Sequence, residues 1–120
     1  MTTRYFITSI LWGCAAAHTR TMGRRSPGAF NKLNAWAEHA ADIGCTAIYI
    51  GPLFESGSHG YDTIDYRLVD RRLGTNAEFK DFVARCHARG QKVIVDGVFN
   101  HVGRDFFAFQ DLKANRENAR

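Results

Sequence analysis

The sequence has no paired cysteines, no concentrated charge and no apolar run long enough for a membrane. Its three cysteines, Cys14, Cys45 and Cys86, are odd in number and widely spaced. Neither a CxxC pair nor a Cys/His finger pattern occurs, which argues against zinc ribbons and disulfide frameworks. That usage fits a reducing compartment. The 16 basic and 12 acidic side chains leave a net charge of +4, with the basic ones scattered from Arg4 to Arg120. A nucleic-acid face would concentrate them and interleave aromatics. The charge therefore reads as a solvated surface, and no nucleic-acid partner is expected. The apolar stretch after Arg4 is too short to span a bilayer, so no membrane partner is expected either. What is present suffices for one domain: 120 residues, 45% hydrophobic and 12% aromatic, are enough to bury a core.

The amino-terminal stretch YFITSILWGCAAA supports two readings. One basic residue, an apolar segment and small residues resemble a short signal peptide, with LWGC hinting at a lipidated cysteine. Alternatively, Tyr5, Phe6, Ile7, Ile10, Leu11 and Trp12 are good strand formers.

Further along, the pattern repeats. Phe30, Leu33, Ala37, Ala40 and Ala41 recur at helical spacing, and Gly44 is a suitable stop. Thr46 to Ile50 then forms a short apolar run of the buried-strand type, closed by Gly51-Pro52. In the second copy Thr75 and Glu78 form a capping box. Phe79, Phe82, Val83 and Cys86 follow on one helical face, Gly90 ends the helix, and Lys92 to Val95 is the next strand. Two helix-glycine-strand units after an initial strand imply βαβ crossovers and a parallel sheet. The stretch between Gly51 and Thr75 is expected to be a long loop at the functional end of the strands. Phe106, Phe107, Phe109 and Leu112 suggest a short amphipathic helix after the third strand, and the closing residues KANRENAR are polar. A complete (β/α)8 barrel takes about 250 residues. The expected fold is therefore a small open α/β domain or the front part of a barrel.

Polar residues cluster beyond the strand exits: Glu55, Ser56, Ser58, His59, Tyr61, Asp62, Asp65 and Tyr66 after the second, and Asp96, Asn100, His101 and Asp105 after the third. In a parallel sheet both groups lie at one end and could converge. Three readings stay open. A sugar site would use Asp, Asn and His on hydroxyls and Tyr61 against a pyranose face. A metal site would draw on His59, Asp62, Asp96 and His101. In a structural reading, Asp96 caps amides or pairs with an arginine while Asn100 and His101 order their loop.

GPLFESGSHGYDTIDY (Gly51 to Tyr66), VDRRLGT (Val69 to Thr75) and VIVDGVFNHVG (Val93 to Gly103) resemble the α-amylase family of glycoside hydrolases, glycoside hydrolase family 13. The likeness runs from about Gly28 to the carboxyl end. It is weaker over SILWGCAAAHT, which stands where the family places its first barrel strand and following loop. The resemblance favours the strand reading, because cleavage near Ala17 would remove part of the barrel. The chain is then expected to be cytoplasmic; a signal peptide over residues 1–17 would instead imply a secreted protein or lipoprotein. The implied fold is α/β, the amino-terminal portion of a (β/α)8 TIM barrel with about three βα units, making residues 1–120 one incomplete catalytic barrel.

The resemblance implies a role for each matching residue. Tyr61 would stack on the sugar just before the cleaved bond, and His101 would hydrogen-bond that sugar's primary hydroxyl. Asp62 would border the same subsite, with His59 close by as a less general match. Asp96 would orient an arginine near the nucleophile. Asn100 would be a calcium ligand in some members and a loop brace in others, so calcium is the one cofactor implied. The implied substrate is an α-glucan or maltooligosaccharide, and Asp62 after Tyr61 leans toward short oligosaccharides or cyclic dextrins. The pattern specifies no oligomeric state.

Retaining glycosidases need two carboxyls about 5–5.5 Å apart. In this family the nucleophilic Asp, the acid Glu and a third Asp lie in later barrel strands, and the Gly-Phe-Arg-x-Asp pattern does not occur in this chain. No catalytic residue is therefore assigned here. The parent is expected to be a retaining hydrolase or transglycosylase of α-glucosidic bonds, and the 120-residue chain alone to be inactive. A non-catalytic binding or assembly role and a metal-dependent hydrolase are the competing classes.

Overall fold

The computed structural model describes residues 5–8 and 28–116. Its elements are β1 (Tyr5–Thr8), α1 (Ala29–Asp42), β2 (Ala47–Ile50), β3 (Phe54–Ser56), β4 (Thr63–Val69), α2 (Asn76–Ala88), β5 (Lys92–Val95) and α3 (Phe107–Asn115). β1, β2 and β5 form a parallel sheet in that order, with Tyr5 opposite Ala47 and Ala47 opposite Lys92. Parallel neighbours need long crossovers, and α1 and α2 lie within them.

Both helices end as their glycines dictate. In α1 the Gly44 amide donates to the Ala41 carbonyl at 2.9 Å and the Cys45 amide to Ala40 at 2.8 Å. In α2 the Gly90 amide donates to His87 and the Gln91 amide to Cys86, each at 2.9 Å. This pair of bonds is the Schellman closure, which requires a left-handed residue. Gly44 and Gly90 supply it at φ 90° and 75°. At the other end of α2 the capping box forms: Thr75 Oγ1 accepts from the Glu78 amide at 3.2 Å, and Glu78 Oε2 accepts from the Thr75 amide at 2.8 Å.

The helices cover one face of the sheet. Phe30, Leu33, Ala37 and Ala40 of α1 join Phe82 and Cys86 of α2, Ile48 and Ile50 of β2, and Leu53 and Leu73 in a single buried cluster. The Phe30 ring lies 6.0 Å from Phe79 and 6.1 Å from Phe82. Burying a side chain such as Phe82 contributes about 1.5–3 kcal/mol. Val93 and Val95 pack against this cluster, while Lys92 and Ile94, pointing the other way, are exposed. The second face of β5 thus has no cover among the described residues.

The amino-terminal strand forms at Tyr5–Thr8, on Tyr5, Phe6 and Ile7 of the strand formers read from the sequence. Residues 9–27 lie outside the described ones, and with them Ile10, Leu11, Trp12 and Cys14. The long connection from Gly51 to Thr75 is an antiparallel hairpin of β3 and β4 rather than a plain loop. α3 forms as expected but buries none of its residues, and Phe107, Phe109 and Leu112 are exposed. Among the described residues no helix is long and apolar enough to cross a membrane.

Candidate functional site

The hairpin carries the first group of polar residues in the tight loop between its strands. The Gly57 amide donates to the Asp62 carbonyl at 3.1 Å, which closes the loop over Ser58, His59, Gly60 and Tyr61. A Cβ at Gly57 would stand 2.8 Å from Asp62 Oδ2, so a larger residue there would displace that carboxylate. Asp62 Oδ2 accepts from the Ser58 hydroxyl at 2.7 Å, and Oδ1 accepts from the His59 amide at 3.1 Å. His59 Nδ1 lies 3.6 Å from Asp62 Oδ1 and accepts from the Tyr61 amide at 3.2 Å. Partial burial pushes the Asp62 carboxyl up. The Ser58 hydroxyl, the backbone donors and His59 outweigh it and hold the carboxyl below the usual range. Tyr61 leaves 48% of its surface exposed, with its ring 6.1 Å from the His59 ring.

The second group follows β5. Asp96 begins where the sheet ends, its amide donating to the Ile50 carbonyl at 3.0 Å. Burial of the Tyr49 phenol on β2, the Asp96 carboxylate near it and the charge of Tyr61 push that phenol up. Asn100 and His101 are exposed, with the Asn100 amide nitrogen 3.4 Å from His101 Nδ1.

The two loops are joined, although no hydrogen bond or ring contact links His101 directly to Tyr61 or Asp62. The Gly103 amide donates to the Thr63 carbonyl at 2.7 Å, and a Cβ at Gly103 would fall 2.5 Å from the Asp62 carbonyl oxygen. An open cleft of about 390 Å³ lies between them, lined by Ser58, Asp62, Ile64, Val102, Arg104 and Asp105. Tyr66 of β4 adds a second tie. Its hydroxyl donates to the Val98 carbonyl, and its ring lies 5.6 Å from Phe54, 5.5 Å from Phe99 and 6.0 Å from Phe106.

The metal reading of His59, Asp62, Asp96 and His101 is not supported. Among the described residues no three His, Cys, Asp or Glu side chains come together to hold an ion. Asp62 is engaged by the Ser58 hydroxyl and the His59 amide, and His59 Nδ1 by the Tyr61 amide. Asn100 could give calcium one oxygen of the six to eight it takes, so the others would come from elsewhere. Glu55, Ser56, Asp65 and Tyr66 serve the hairpin itself: Glu55 pairs with Arg71, Ser56 with Asp70, and Asp65 with Arg67.

Sequence reasoning did not single out Tyr49, Asp70 or Arg72. Asp70 is fully buried and Arg72 nearly so. Arg72 Nε donates to Asp70 Oδ1 at 2.8 Å and Nη2 to Oδ2 at 2.6 Å, the two-pronged geometry of a strong charge-assisted pair. Burial pushes the Asp70 carboxyl up, but Arg72 and Ser56 hold it below the usual range. An acid two residues before an arginine, at a strand's end, was the available signal. Tyr49 gave none, because an aromatic inside an apolar strand reads as core.

Residues 28–120 match the catalytic domain of alpha amylase. The chain belongs to the alpha-amylase family. It is 39% identical over 110 residues to a cyclomaltodextrinase of Thermoanaerobacter pseudethanolicus, covering 91% of this chain and 18% of that enzyme. Against neopullulanase 2 of Thermoactinomyces vulgaris it is 45% identical over 80 residues, 66% of this chain and 14% of the relative. Among solved structures, the Nostoc punctiforme debranching enzyme superposes with a TM-score of 0.67 at 41% identity, over 72% of this chain and 18% of that one. The cyclic α-maltosyl-(1→6)-maltose hydrolase of Arthrobacter globiformis gives 0.68 at 35%, over 75% and 21%. The alpha-amylase segment described here thus spans about a fifth or less of each of these relatives. Its three parallel strands and two crossover helices are the amino-terminal portion of a (β/α)8 barrel.

Proposed function

We propose that residues 1–120 are one incomplete catalytic barrel. The chain would supply the sugar-contacting strand ends of a retaining enzyme that hydrolyses or transfers α-glucosidic bonds. The observation that carries this is the half-exposed ring of Tyr61, held at the strand exits beside a fully engaged Asp62. A flat aromatic face next to fixed hydrogen-bonding groups suits a pyranose ring. In this reading Tyr61 stacks on the sugar, Asp62 and His59 border it, and His101 reaches its primary hydroxyl across the cleft. Asp96 acts through a neighbour by orienting an arginine from the remainder of the barrel. Maltooligosaccharides and cyclic dextrins are the favoured substrates, in line with the relatives named for cyclomaltodextrin and a cyclic maltosyl-maltose.

Neither acid fits the work of bond cleavage. A general acid needs a raised carboxyl pKa at neutral pH. Asp62 is held low by Ser58 and His59, and Asp96 has the separate task of orienting an arginine. Nucleophile and acid would come from the rest of the barrel.

The test is a graft of residues 28–116 into the matching segment of the Thermoanaerobacter cyclomaltodextrinase. The graft should turn over maltooligosaccharides. Tyr61→Ala and His101→Ala should each lower kcat/KM about 10- to 100-fold, roughly 1.4–2.7 kcal/mol of lost transition-state stabilisation. Unchanged kcat/KM in both variants would remove the sugar assignment.

A further inference from the structure

A buried ion pair lies directly behind the Tyr61 loop. Asp70 accepts from Arg72 on both oxygens and from the Ser56 amide and hydroxyl at 3.1 and 2.9 Å. The guanidinium does not stop there. Nη2 also donates to Ser56 Oγ at 2.7 Å, and Nη1 donates to the carbonyl of Ser58. Ser58 is the residue whose hydroxyl holds Asp62 Oδ2 at 2.7 Å. Hydrogen bonds therefore run without a break from buried Asp70 through Arg72 and Ser58 to Asp62.

We infer that Asp70 and Arg72 are positioning residues for the sugar-binding loop, setting Ser58 so that its hydroxyl fixes Asp62 beside Tyr61. The inference rests on the reading of Tyr61 and Asp62 as sugar contacts. Closing the hairpin alone does not require this pair. Apolar residues of similar volume often replace a buried ion pair with no loss of stability. They could not hold the Ser58 carbonyl. Arginine suits the task because its planar fork spans both Asp70 oxygens and still has an arm for the loop, which a lysine ammonium lacks. Asp62 faces His59 and Arg72 and shares its cleft with Arg104 and Asp105, so its carboxyl reports on the geometry of the loop.

The 120-residue chain is followed by NMR as wild type, Ser58→Ala and Arg72→Lys, reading the Asp62 carboxyl titration and amide exchange at His59. Lysine keeps the positive charge, so a response to Arg72→Lys reports lost geometry. In both variants Asp62 should titrate closer to the ordinary carboxylate range than in wild type. His59 amide exchange should accelerate about tenfold while Ile48 and Phe82 stay protected. An Asp62 titration and a His59 exchange rate that match wild type in Arg72→Lys, with the core protected, would overturn the inference. If Arg72→Lys unfolds the chain, Asp70→Asn/Arg72→Gln, which neutralises both partners, takes its place with the same expectations. Maltotriose added to the cyclomaltodextrinase graft tests the underlying reading separately. Affinity unchanged by Tyr61→Ala would overturn the sugar assignment, whereas the carboxyl titration alone decides whether the loop is positioned by Arg72.

Discussion

Asp70 shows how much one side chain can set in this molecule. Its carboxylate has no contact with solvent and depends on Arg72 and Ser56 for every compensating bond. Removing one partner of a buried pair leaves the other charge uncompensated, which costs about 3–5 kcal/mol. Asp70→Ala should therefore lose roughly that much stability in urea unfolding. The pH dependence has a definite sign. The Asp70 and Asp62 carboxyls are held below the usual range in the folded chain. Their contribution is complete above the unfolded value of about 3.9 and is lost as pH falls through the folded values. Thermal stability should decline on acidification below about pH 4, and Asp70→Asn should flatten that decline. VDRRLG contained the pair from the start, but nothing in residue spacing reveals that Asp70 folds back onto Ser56, fourteen positions earlier. Long-range partners of this kind depend on hairpin register.

Legibility in the sequence was highest where local chemistry decides the structure. The capping box at Thr75 and Glu78 and the stops at Gly44 and Gly90 depend on residues within one helical turn, and all formed as read. The β3–β4 hairpin was not read: Ile64, Tyr66 and Leu68 alternate with Thr63, Asp65 and Arg67 as a strand does, but the partner strand is only Phe54–Ser56 and the pairing shifts register along it. Its role is to present the Tyr61 loop and to hold the chain after β5 through Tyr66. Tyr66→Phe keeps the ring contacts and removes only the hydroxyl donated to Val98. It should cost about 0.5–1.5 kcal/mol and loosen the Phe99–His101 segment, seen as faster amide exchange there than in α1. Gly90→Ala isolates the backbone cost of a left-handed stop. Its Cβ would meet nothing within 4 Å, so the loss of about 1–2 kcal/mol in chemical denaturation comes from φ alone.

At the scale of the whole molecule, a parallel sheet is stable only when both faces are covered. Here α1 and α2 cover one face, while Lys92 and Ile94 on the other are exposed. Phe99, Phe107, Phe109 and Leu112 add further exposed apolar surface beyond β5. The isolated 120-residue chain should therefore bind a hydrophobic dye and associate as concentration rises, which light scattering would show. On the proposed reading the site divides in the same way: Tyr61, Asp62 and His101 would contact the sugar, and the groups that break the bond would come from the rest of the barrel. The most direct measurement is turnover of a chromogenic α-maltoside by the purified 120-residue chain, run beside the cyclomaltodextrinase graft and its Tyr61→Ala variant. The expected result is no turnover by the chain alone, turnover by the graft, and a 10- to 100-fold loss of kcat/KM with Tyr61→Ala. Turnover by the chain alone, or a graft indifferent to Tyr61, would contradict it.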